Sequence, residues 1–505
     1  MTNPRDRRAR AAAGDPETRD DPAGTMPLVE RLVLLVFLSL IPIRAVLSET
    51  HGFESPSLLR GLEDAPPTAG PATTLVIIST IAAGTLALAC SRLWRGGPRY
   101  RRTGAELGAL LLVAAAVFST VRAGQRHLAL IGVLDFLGMI ALMFSLRQLL
   151  TRRRNVRLAL CVILATGALV VTKAIYQVAI EYPDTLEMFE EHYQEDMVQS
   201  AGPEGAGRVH DFVKRLQSQA ATGYFQHPNV LGSFLILICA TCLAVAASRI
   251  RRRPYWSVIT PTVIAIAGAI IMVFSQSKGA VASLGVALVA WVIAHLLRGP
   301  MKRRPRTALA AFWLIGLFGS VAIIGVLRQS PDALGRSMLF RQFYWDGAAE
   351  MLSDQGYAGV GANNFGRWFP RFKSVECPEV VQSPHSWIVR LATEWGVLGL
   401  AGFLLVLLGI TNRLSQSPRK ADPPESSGGS IAGWGIAIIG CVGSGWLIVL
   451  AGSELPYLFV TLIVAVPVWC MAFGLSGLES SRALLLLDDD LGPVLMGLCA
   501  GAVGF

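Results

Sequence analysis

The sequence predicts an all-α polytopic membrane protein with about twelve spanning helices and a cytoplasmic N-terminus. Three observations carry that prediction. Hydrophobic residues make up 52% of the 505 residues and charged residues only 16%, a balance foreign to soluble domains of this length. The charge is confined to connectors between apolar stretches of about 20 residues, the length that crosses a bilayer core about 30 Å thick. Every second connector is rich in arginine, as the positive-inside rule requires of one membrane face.

In order along the chain, residues 1–27 are polar and lack an apolar signal region, so they read as a disordered cytoplasmic tail. A transmembrane domain over 28–475 follows, with spans near 28–48, 72–93, 104–121, 128–147, 158–180, 227–248, 256–274, 279–297, 307–327, 388–410, 431–451 and 456–475. Residues 476–505 form a C-terminal segment whose apolar end, from 491, is a candidate partial span. The basic connectors hold Arg92, Arg95 and Arg99, then Arg152 to Arg154, Arg251 to Arg253, Arg303 and Arg304, and Arg419 with Lys420. The intervening connectors are acidic, mixed or very short. Two of them are long, over 181–226 and 328–387, and are expected on the outer face, where loops of that size carry function.

The net charge of +10 does not point to nucleic acid, because the basic residues flank spans and no basic domain with interleaved aromatics exists. Seven of the eight cysteines lie in or beside apolar spans, which argues against a disulfide framework or a metal cluster. Asp488, Asp489 and Asp490 read as a solvated charge run on the cytoplasmic side. Inside the spans, Lys173 and Asp135 are placed to line a cavity or to pair with each other.

The ninth connector holds the most chemistry. Met338, Arg341, Trp345, Ala348 and Leu352 recur at helical spacing and predict an amphipathic surface helix. A glycine-rich turn follows, with Gly356, Gly359 and Gly361, suited to a close backbone approach or to an ordinary turn. Ser383, Pro384, His385, Ser386 and Trp387 then lead into the tenth span, so His385 is expected at the outer lip of a helix N-terminus. A histidine so placed is fit for proton exchange with a substrate, or for a structural hydrogen bond.

These residues resemble the O-antigen ligase and polymerase family of bacterial inner-membrane glycan transferases. His385 and Ser386 are followed by nine residues and then Gly396-Val-Leu-Gly399, the ligase spacing. The stretch 341–365 shares the family's Arg, Trp and Gly-x-Gly-x-x-x-Phe elements, although a typical Pro before the glycines is replaced by Gly356-Tyr357. Thr222 to Gly232, with Gly223, Pro228 and Asn229, resembles an element that precedes a span. Ser275-Gln-Ser277-Lys278-Gly279-Ala280 resembles the family's Ser-Arg-Gly-Ala turn, with Lys278 in place of Arg. Lysine keeps the charge but loses the two-pronged geometry that matches phosphate oxygens.

The resemblance implies a C-type glycosyltransferase architecture in the bacterial cytoplasmic membrane, with the active site on the periplasmic side. It implies transfer of a glycan from an undecaprenyl-pyrophosphate carrier to an acceptor hydroxyl, with no cofactor and no metal. His385 would serve as general base, and Arg215, Lys278, Arg341 and Arg390 would hold the pyrophosphate. Asn229, Trp345, Gly359, Gly361, Ser386, Gly396 and Gly399 would support them. The acceptor could be a glycolipid, a growing glycan, as in a polymerase, or a protein. A secondary transporter is the reading from another class, although no inverted repeat is evident.

Overall fold

The computed structural model describes residues 26–47, 70–95, 100–192, 214, 217–225, 227–249, 256–296, 303–329, 336–355, 357–377 and 379–415. The predicted spans 431–451 and 456–475, residues 1–25 of the expected N-terminal tail, the C-terminal segment and Arg215 lie outside these residues.

All regular structure among the described residues is helical. The helices are α1 (Leu28–Leu47), α2 (Gly70–Arg95), α3 (Glu106–Arg122), α4 (Arg126–Leu149), α5 (Arg153–Tyr176), a π-turn (Gln177–Glu181), α6 (Tyr182–His192), α7 (Pro228–Arg249), α8 (Trp256–Phe274), α9 (Lys278–Leu296), α10 (Pro305–Gln329), α11 (Arg336–Asp354), α12 (Phe365–Phe372) and α13 (Trp387–Ser415). Of the ten expected spans that fall on described residues, nine each coincide with one helix, and the fifth, 158–180, runs from α5 into the π-turn. Among the described residues, five helical stretches are long and apolar enough to cross a membrane by length and composition, including Arg126–Leu149, Pro228–Ala247 and Trp387–Arg413.

The contacts sort the helix ends into two groups. At one end, Arg92 donates to Glu30 Oε1 at 3.1 Å and to the Gln148 carbonyl at 2.9 Å. Gln148 in turn exchanges hydrogen bonds with the backbone of Arg101. This knot gathers the start of α1, the ends of α2 and α4, and the connector before α3, so the arginine-rich connectors that follow α2 and α4 share one end of the bundle. Gly104 at the start of α3 meets the backbone of Gly409 near the close of α13. Those two helices are therefore antiparallel, and Arg122 lies at the end where α13 begins.

Small residues let the helices approach closely. A Cβ on Gly108 would stand 2.5 Å from the Val406 nitrogen, and one on Gly84 would stand 2.4 Å from the Phe37 ring. Such contacts drive helix association where the surroundings are as apolar as the side chains. Phe37, Ile81, Leu231 and Leu235 are fully buried at the centre of the main cluster, which joins α1, α2, α5, α7 and α8. A second cluster lies between α3, α4 and α13, and a third joins α11 and α12.

The expected surface helix is present as α11, but its buried stripe is shifted. Tyr344, Ala348 and Met351 are buried, while Arg341 and Trp345 are only partly covered. Of the five residues in the expected stripe, only Ala348 lies among these buried three. The partners decide this: Tyr344 packs edge-on against Phe369 of α12, an element with no counterpart in the sequence reading.

Asp135 and Lys173 do not pair with each other. Arg44 bridges Asp135 at 3.2 Å, and Lys173 bridges Glu181 at 2.8 Å while 2% exposed. Each charge found a partner on the element packed beside it.

Candidate active site at the start of the last described helix

Gly396 breaks α13. It adopts φ 70° and ψ −173°, which frees backbone groups on both sides of the break. In a membrane-spanning helix such groups need partners. The glycine-rich turn supplies them. Val360 N–H donates to the Thr393 carbonyl at 2.9 Å and Gly361 N–H to the Glu394 carbonyl at 2.8 Å. The Val397 N–H donates back to the Tyr357 carbonyl at 3.0 Å. Residues 357–361 thus form a strap laid across the break.

The contact is backbone on backbone. A Cβ on Gly359 would stand 2.5 Å from the Gly396 nitrogen, and one on Gly396 would stand 2.4 Å from the Tyr357 oxygen. Gly361 presses on Ala123 after α3 in the same way. A Cβ on Gly399 would crowd Trp395 Cβ at 2.4 Å, in the tight turn that resumes the helix. The two glycine motifs of the sequence are therefore one structural unit.

The next residues anchor the strap. Asn364, 1% exposed, accepts from Gln125 N–H at 3.0 Å and donates to the Ala362 carbonyl at 2.9 Å. Asn363 accepts from Arg390 Nη2. Arg390 Nε also bridges Glu394 at 3.2 Å, and its guanidinium lies over the Trp387 ring. Arg390, expected to hold pyrophosphate, is thus engaged with Asn363, Glu394 and Trp387. Glu394 went unremarked in the sequence reading, although an acid within an apolar span is a signal in itself. It is 2% exposed, and its Oε1 is without a hydrogen-bond partner.

His385 sits just ahead of α13 in a left-handed conformation, φ 51°. Its N–H donates to Ser383 Oγ at 3.3 Å, and the Trp345 indole donates to the Pro384 carbonyl at 3.1 Å. Ser386 caps α13, accepting from Val389 N–H at 3.5 Å. The imidazole faces Tyr344, with ring centroids 5.7 Å apart. Tyr344 donates its hydroxyl to Glu379.

Part of the His385 surface stays open, yet burial against these groups pushes its pKa below the ordinary value. The Arg341 guanidinium adds to that effect, and Glu379 opposes it. Burial lowers Arg341 as well. Tyr344 is raised by burial and by its bond to Glu379. Burial and the Arg341 charge together favour the imidazole in its neutral form.

A second group of expected residues assembles around Lys278. Ser277 caps α9, accepting from Ala280 N–H at 3.3 Å, and its hydroxyl donates to Asn229 Oδ1 at 2.7 Å. Lys278 is the first residue of that helix, where the dipole favours anions. Ala221 N–H donates to the Phe274 carbonyl at 3.1 Å, so the segment ahead of α7 lies against the turn ahead of α9.

A half-open cavity of about 360 Å³ lies behind the strap, lined by Phe118, Arg122, Gln355, Tyr357, Ala358, Trp395 and Leu398. None of the expected site residues lines it.

Helices of this length and apolarity, stitched end to end, define a multi-pass membrane protein. Residues 262–404 match the family model described as O-antigen ligase, a family of glycosyltransferase-type enzymes. The match takes in Lys278, Arg341, His385, Arg390 and both glycine motifs, and leaves out Arg215 and Asn229. No curated protein and no solved structure matches the chain.

Proposed function

We propose that this protein transfers a glycan from an undecaprenyl-pyrophosphate carrier to an acceptor hydroxyl, on the periplasmic side of the bacterial cytoplasmic membrane. The observation that carries the reading is His385, held ahead of α13 beside Arg341 and Tyr344 with its basic form favoured. A neutral imidazole takes the acceptor proton as the hydroxyl attacks the anomeric carbon. The departing pyrophosphate gains charge, which Arg341 and Lys278 offset, Lys278 with the help of its helix N-terminus. Arg215 belongs to the same set by resemblance. Arg390 is reassigned: with Glu394 and Asn363 as partners, it fastens the strap that precedes His385.

The ligase-type spacing from His385 to Gly396 and Gly399 favours transfer to a separate acceptor over elongation on the carrier. The test is gene deletion, followed by complementation with wild type or His385→Ala and analysis of lipid-linked glycans. Accumulated full-length lipid-linked glycan in both the deletion and the His385→Ala strain is the expected result. Short lipid-linked units alone would indicate a polymerase. Full transfer by a stably expressed His385→Ala protein would remove His385 from the chemistry. Unchanged glycan pools with altered solute uptake would point to a transporter.

A further inference from the structure

The polar groups at the end of α5 take no part in the chemistry proposed above, yet they are buried and fully engaged. Gln177 is 5% exposed at the start of the π-turn. Its Oε1 accepts from the N–H groups of Thr222 at 2.9 Å and Gly223 at 2.8 Å, and its Nε2 donates to Thr222 Oγ1 at 3.0 Å. Tyr182 donates to the Ala220 carbonyl at 2.9 Å. Lys173, bridged to Glu181, faces the Tyr224 ring. One face of this helix end is thus a dock for residues 220–224, and the π-turn fits the habit of such turns to mark functional places.

Three hydrogen bonds, one to the docked segment and two to Ser218 and Asn229 that flank it, lead to the turn that launches α9. Ala221 N–H donates to the Phe274 carbonyl at 3.1 Å, Gln276 Nε2 to the Ser218 carbonyl at 2.6 Å, and Ser277 Oγ to Asn229 Oδ1 at 2.7 Å. Gln276 has φ 54°, a conformation that a non-glycine residue holds only when its surroundings impose it. Lys278 follows two residues later.

We propose that Gln177 is a positioning residue for Lys278, setting the place of its ammonium group through the 218–222 segment and the 274–277 turn. The inference rests on the reading of Lys278 as a cation for the donor pyrophosphate. A side-chain amide suits the task because it accepts two N–H groups and donates once from a single buried position. A methionine there keeps the volume and deletes all three bonds.

The test is binding of undecaprenyl pyrophosphate to the purified full-length protein in detergent, with the thermal unfolding midpoint measured alongside. Gln177→Met is expected to raise the Kd about tenfold, the size of effect that a lost buried polar network gives. In a Lys278→Ala background the same change is expected to add no further loss, because the group it positions is gone. Gln276→Ala cuts a single link at an exposed site and should show the same dependence on Lys278, even if Gln177→Met folds poorly. Losses that add to that of Lys278→Ala overturn the positioning role, as does a Lys278→Ala protein that binds like wild type. A wild-type protein that fails to bind undecaprenyl pyrophosphate overturns the donor reading itself.

Discussion

The indole N–H of Trp345 donates to the carbonyl of Pro384 at 3.1 Å, one residue ahead of His385. This bond ties the surface helix α11 to the entrance of α13 and sets the direction from which the imidazole emerges. Trp345→Phe keeps the ring and removes the donor. Transfer activity is expected to fall about tenfold while the unfolding midpoint moves little, since one half-exposed hydrogen bond contributes only about 1 kcal/mol. Unchanged kcat/KM in the variant would show that the bond does not position His385.

The pH profile of kcat/KM should carry the signature of His385. The base is active when neutral, so activity falls as pH drops through its pKa, which lies below the ordinary histidine value. Arg341 depresses that pKa, so Arg341→Gln should move the acid limb to higher pH, apart from any loss of donor binding. Glu379 acts in the opposite sense, so Glu379→Gln should move the limb to lower pH. Limbs that stay in place in both variants would mean that another group sets the profile.

Gly396→Ala should yield little folded protein. The added methyl would stand 2.4 Å from the Tyr357 carbonyl oxygen at a φ of 70°. A penalty of at least about 2 kcal/mol is expected from strain at such a site. Gly285→Ala, where the methyl meets nothing within 4 Å among the described residues, serves as control and should melt like wild type. Thermal unfolding in detergent reads both.

Arg390→Met should destabilise on the order of 3 kcal/mol, because it strands the buried Glu394 carboxylate. The double variant Arg390→Met, Glu394→Met removes both charges and should regain much of the lost stability. Its activity separates two roles. Recovery of transfer along with the fold agrees with a fastening role for Arg390, and a stable but inactive double variant would return Arg390 to the pyrophosphate.

The helices were legible because bilayer length, apolarity and charge alternation are one-dimensional signals, and α8 begins and ends where its apolar stretch does. The residues offered for the chemistry, Ser277, Lys278, His385, Ser386 and the glycines, stand out in the sequence by type and order. What the glycines touch was not legible. Gly359 and Gly396 lie 37 residues apart in the chain, and only the break in α13 explains why both positions are glycine. The buried stripe of α11 was misplaced for a similar reason, since Phe369 on another element decides which face is covered. Arg390 had an acid four residues away on its own helix, a spacing that signals a pair before it signals a ligand. Gln177 gives no sequence signal at all, because a glutamine near a helix end is ordinary until its three partners are seen.

The break at Gly396 also constrains the order of assembly. The strap that completes it pairs with positions 33 to 40 residues later in the chain, so this pairing waits for α13 to emerge. Asn364 must instead reach back 239 residues to Gln125, on a connector made long before. Both ends of that contact exist before α13 does, so Asn364 can be fastened to the older half of the bundle first, and a chain truncated before α13 would leave the strap with nothing to close.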